Sequence, residues 1–164
     1  MSVENQCVEY KKHSDEWELT RDTVSGEKAI KGRGERHLPR PSGHDEHDYK
    51  CYLSRAHWFG ATGRTAHGLH GMVLQKPPIK SNSNDALDKI LKNVDLSGNS
   101  LDQFASDAVW DLLQTNWGGV LVDYPPTPEG MNKADSEARG NRAYLAYYAA
   151  ESIINWRYEA RNNA

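Results

Sequence analysis

The sequence predicts an α+β protein, mainly helical, with a small antiparallel sheet near its C-terminus. Three observations predict it. Apolar residues recur at helical spacing through the first two thirds of the 164-residue chain. Ser100 and Gln103 form an S-x-x-Q capping box ahead of the best-marked of these runs. After Gly118 and Gly119 the period shortens, and runs rich in β-branched and aromatic residues replace it. One domain over 1–164 is expected, helical over 10–115 and sheet-forming over 119–160.

In the first helix, Ser14 is placed to cap, and Trp17, Arg21 and Val24 share a face. Gly26 stops it in the usual position past a helix end. The stretch GRGERHLPRPSGHDEHD reads as a loop, because Pro39 and Pro41 prevent a regular helix. From Asp45 a long helical pattern follows, with Tyr49, Tyr52, Leu53, Ala56, Phe59, Gly60 and Gly63 on one stripe. Leu69, Met72 and Val73 extend it, and Pro77 and Pro78 end it. Its glycines at 60, 63, 68 and 71 predict a break or kink between Gly60 and Gly71.

A shorter helix, capped by Asn84 or Asp85, turns Leu87, Ile90, Leu91 and Val94 inward. The capping-box helix follows with Leu101, Phe104, Ala105, Ala108, Val109, Leu112 and Leu113 on a wide apolar stripe, stopped by Gly118 and Gly119. The strands expected next are Gly119–Tyr124, Ala143–Tyr148 and Ile153–Tyr158, with an open polar loop over Pro125–Asn141. The terminal Arg161-Asn162-Asn163-Ala164 is turn chemistry, so a partner strand beyond it is expected.

Twenty basic and 23 acidic residues give a formal charge of −3, which excludes a polybasic protein held to nucleic acid by bulk charge. Only 28 residues are Leu, Ile, Val or Phe, a lean supply for a core, although five Trp and eight Tyr add bulk. The chain is therefore expected to bury further surface against neighbours. No apolar run approaches a membrane span, and MSVENQCVEY has no secretory h-region. Cys7 and Cys51 make no C-x-x-C pair and read as reduced thiols of a reducing compartment.

No catalytic constellation stands out, and the chain is expected not to be an enzyme. GATGRT, residues 60–65, has only two residues between its glycines, Arg64 in place of Lys, and no preceding strand, so it does not fit a phosphate loop. His44 and His47 lie beside Asp45 and Asp48, and His67 and His70 are three apart. Neither pair brings the three or four converging ligands of a zinc site, so no metal and no cofactor are expected. Residues 51–80 contain no Asp or Glu but carry Arg55, Arg64, Lys76 and Lys80. Arg55, Arg64 and Lys76 are candidates for contact with DNA phosphates or with acidic groups of a neighbouring subunit.

Four segments occur in order: GEKAIKGRGERHLPRPSG, YLSRAHWFGATGRTAHGLHGMVLQKPP, LDQFASDAVWDLLQTNWGGVLVDYPP and AYLAYYAAESIINWRYE. From about Tyr10 to Glu159 the chain resembles the N-terminal region of a family of tailed-phage and prophage portal-like proteins. Gly60 and Ala150 depart from the pattern, where Asn and Pro are expected. The resemblance implies the wing region of a portal subunit, and a fragment of a longer protein. It implies a virion structural protein, made in the host cytoplasm, acting as a head-tail connector and DNA-packaging channel. The implied partners are further copies in a ring, the terminase, capsid and head-tail proteins, and double-stranded DNA, with no membrane. Trp110, Trp117, Tyr147 and Trp156 are then core or interface anchors. A small stand-alone interaction module is the alternative, and a metal-dependent hydrolase built on the histidines a third reading.

Overall fold

The computed structural model describes residues 4–79, 81, 84–126, 128, 130, 132, 134–135 and 140–157. The protein is mainly helical α+β, with a two-stranded antiparallel sheet toward its C-terminus.

Helix α1 spans Val8–Ser25. Its cap is Cys7, not Ser14: the Cys7 Sγ accepts from the Tyr10 N–H at 3.3 Å. Ser14 lies inside the helix, and its Oγ donates to the Lys11 carbonyl. Tertiary packing sets this start. The Cys7 N–H donates to the Ile154 carbonyl at 3.0 Å, and Cys7 and Tyr10 are buried there. Gly26 ends α1 as expected, at φ 96°, its N–H donating to the Asp22 carbonyl. A second helix, α2 (Glu27–Gly32), starts at once and buries Ile30. A 3-10 turn at Gly34–Arg36 follows within the expected loop.

Helix α3 (Glu46–Arg55) is capped by Asp45, which accepts from the Asp48 N–H at 2.8 Å. The long helical pattern breaks earlier than its glycines predict. The chain leaves helix at Ala56 and resumes as α4 (Ala61–Val73), which runs unbroken through Gly63, Gly68 and Gly71. Contacts distant in sequence fix the break: Glu27 accepts from the Trp58 N–H, and Lys31 reaches the Ser54 carbonyl. Phe59 consequently leaves the apolar stripe and is 77% exposed.

Helix α5 (Asp85–Leu91) is capped by the Asn84 side chain, and α6 (Leu101–Thr115) by Ser100. Asn116, in the left-handed conformation at φ 53°, terminates α6 two residues before the glycines. Gly118 and Gly119 instead open β1 (Gly118–Asp123), where any Cβ on Gly118 would collide with the Tyr147 hydroxyl. β1 pairs antiparallel with β2 (Tyr144–Ala149), Gly118 opposite Ala149 and Asp123 opposite Tyr144.

The expected third strand is absent from residues 153–157. After a 3-10 turn at Ala150–Ser152, this segment closes over the start of α1 through the Cys7–Ile154 bond. Tyr158, Lys80 and residues 161–164 lie outside the described residues, as does part of the 125–141 connection. The core joins Cys7, Tyr10, Trp17 and Ala150, with Trp117, Ile154 and Trp156 packed against them. Val94, 1% exposed, lies past α5, and its carbonyl accepts from the Leu145 N–H of β2.

Candidate assembly surfaces

Two polar clusters hold the helices together. Arg21 of α1 pairs with Asp111 of α6 at 2.5 Å and donates twice to Glu151, at 2.8 and 3.1 Å. The Tyr147 hydroxyl of β2 donates to the other Asp111 oxygen at 2.8 Å. Four elements thus meet on one guanidinium–carboxylate group, with the fork geometry that favours Arg over Lys. Hydrogen bonding to Glu151 raises the Arg21 pKa against the opposing effect of burial, and Asp111 adds to it. Burial, then the bond to Asp111, push the Tyr147 phenol up. The Arg21 bond lowers the Glu151 carboxyl.

In the second cluster, Asp22 accepts from Arg33 Nε at 2.9 Å and contacts His37 Nε2 at 2.8 Å. Burial acts to raise the Asp22 pKa, and the bonds to His37 and Arg33 outweigh it, leaving the carboxyl below its ordinary value. Arg33 and Arg36 both reach Glu18, and Arg36 also reaches Asp15.

A cleft of about 460 Å³ opens where the N-terminal half of α1 meets the end of α6. Glu9, His13, Glu16, Trp17 and Thr20 line one side, and Leu113 to Trp117 with Trp156 the other. Trp117 and Trp156 lie 4.8 Å apart, ring to ring. The sequence does not mark this cleft, because its walls come from three distant segments.

The expected candidates fall elsewhere. Arg55 ends α3, Arg64 lies in the first turn of α4, and Lys76 follows α4; all three are exposed. None has an ion-pair partner among the described residues, and Arg64 lies over the Phe59 ring at 5.6 Å. Of the expected anchors, Trp110 is stacked by His67 at 4.4 Å and met edge-on by His70. His70 is further engaged by the Ser106 carbonyl and hydroxyl. His47 contacts Cys51, and His44 faces Tyr52. Among the described residues, no three His, Cys, Asp or Glu side chains are grouped to hold a metal ion. Both cysteines are free thiols.

The sheet has an open flank. On the far side of β2, Leu145 bonds to Val94, whereas β1 has only β2 as a ladder partner among the described residues. Val120, Leu121 and Val122 of β1, Tyr124 just past it and Tyr148 of β2 are exposed. Leu69, Met72 and Val73 form a second exposed apolar group on α4. No described helix is long and apolar enough to cross a membrane. No protein-family model matches the chain, and no curated protein matches it.

Proposed function

We propose that the chain is a structural building block of a portal-like, ring-forming assembly at a phage head vertex, an architectural part without a catalytic step of its own. The carrying observation is an inverted apolar balance. Among the described residues, eight hydrophobic residues are buried while fifteen large hydrophobics are exposed. Scattered exposed apolar residues are ordinary, but six of the fifteen fall on two elements, Val120, Leu121 and Val122 on β1 and Leu69, Met72 and Val73 on α4, as at sites of association.

The ordered resemblance of the four segments gives the class of assembly, and with it terminase, capsid and head-tail partners. DNA in the channel would meet Arg55, Arg64 or Lys76 only if these face the lumen. Masses of this chain and of the full reading frame, by native mass spectrometry over a concentration series, test the reading. Closed oligomers are expected, and a full-length product that stays monomeric at every concentration refutes it. The stand-alone module is favoured by one observation: the Arg21 and Asp22 clusters lock the helices without help from another chain. A monomer that captures a single partner would support it.

A further inference from the structure

The glycines of α4 divide into two kinds. A Cβ on Gly63 would lie 2.9 Å from the Val24 carbonyl oxygen, so packing of α4 on α1 requires that glycine. A Cβ on Gly68 or Gly71 would meet nothing within 4 Å. Nothing in the chain's own packing accounts for these two, although glycine is the poorest ordinary residue for a helix interior. Bare backbone on an exposed helix permits close approach by another surface.

The surroundings say what kind of surface. Arg64, Gly68 and Met72 succeed one another at four-residue spacing and form one ridge. Met72 is 74% exposed, with Leu69 and Val73 exposed beside it. Lys76 follows, and residues 51–80 contain no carboxylate side chain. The ridge is basic, apolar and smooth at its centre. The cleft is its complement. Glu9 supplies acid, with Glu16 beside it bonded to His13 at 2.9 Å; Trp17, Trp117 and Trp156 supply aromatic wall, and its volume admits a methionine side chain.

His70 and His67 of α4 meet Ser106 and Trp110 along the middle of α6, while Leu113 and Thr115 line the cleft at its C-terminal end. None of the ridge residues lines the cleft of its own copy, and successive copies can dock head to tail, which closes a ring where the rotation per copy closes. We propose that the Arg64–Gly68–Met72 ridge of one copy docks into the Glu9/Glu16 cleft of a second copy. This rests on the assembly reading and names its contact.

The test uses the full chain in sedimentation and native mass spectrometry. Gly68→Ala is expected to raise the thermal midpoint of the dilute chain by about 2–4 °C. It should nevertheless weaken self-association about tenfold, because the new methyl blocks close approach. A structural glycine would not move the two readouts in opposite directions. Met72→Lys and Glu9→Lys should each leave monomers. Mixed, they should form a heterodimer and nothing larger, since one intact ridge and one intact cleft remain. Variants that assemble like the parent, or a mixture that fails to pair or grows further, overturn the contact and leave the assembly reading standing. A parent chain and a full-length product that both stay monomeric overturn both.

Discussion

The turn from α1 into α2 and the outer face of α4 use charge in opposite ways. At the turn, Asp22 meets Arg33 and His37, and Glu18 meets Arg33 and Arg36, so each carboxylate faces a cation of its own chain. On α4 the acid is missing, and Arg64 finds only the Phe59 ring. Apolar burial differs in the same sense: Ile30 is enclosed beside the turn, while Met72 and Val73 face outward. The turn thus pairs its acidic residues with cations of the same chain, while α4 leaves Arg64 and apolar side chains outward. A self-contained domain would divide them more evenly.

Acid should break this contrast most strongly, because the turn has paired carboxylates to protonate and the outer face of α4 has none. Asp22 and Glu151 have folded-state pKa values below their ordinary ones. Such groups contribute stability above the unfolded carboxylate pKa, about 4, and lose it as the pH falls through the lower folded value. Thermal midpoints should hold near neutrality and drop progressively below about pH 4. The α4 ridge carries no carboxylate and should add nothing to that drop. A midpoint flat down to pH 2 would show that the two clusters do not hold the helices.

Asp111→Ala comes next. It strands the Tyr147 hydroxyl and leaves the Arg21 guanidinium with Glu151 as its remaining carboxylate. Breaking a fully buried pair costs 3–5 kcal/mol, but here Arg21 is 25% and Asp111 17% exposed, so about 2 kcal/mol is expected. The thermal midpoint should fall by about 4–8 °C. Gly63→Ala follows at about 1–2 kcal/mol, the strain of a methyl forced against the Val24 carbonyl less the helix-propensity gain. It has the opposite sign to Gly68→Ala in the same helix. Measuring both midpoints separates backbone packed within the chain from backbone left bare.

What the sequence made legible was local. The Ser100 and Asn84 caps, the Gly26 stop and two strands within a residue of their observed bounds all depend on neighbours a few positions away. What it concealed was set at long range. The Glu27–Trp58 bond fixes the break before α4, and the Cys7–Ile154 bond diverts the expected third strand. The candidate site divides along the same line. Arg55, Arg64 and Lys76 are visible as a run without acid. The cleft is not, since residues 9–20, 113–117 and 156 come together only in three dimensions.

The smallest effect, at Ser14, isolates that distinction. As a cap, Ser14 would lose about 1 kcal/mol on replacement by Ala. Inside α1, its hydroxyl donates back to the Lys11 carbonyl, and serine is merely a weaker helix former than alanine. Ser14→Ala should therefore stabilise the protein by about 0.5 kcal/mol, a rise of 1–2 °C or so in midpoint. The two accounts differ in sign, so a calorimetric comparison decides between them despite the small magnitude. A fall on substitution would place the helix start at Ser14 and detach Cys7 from α1. The N-terminal turn would then no longer close over Ile154, and the cleft beside Glu9 would lose one of its walls.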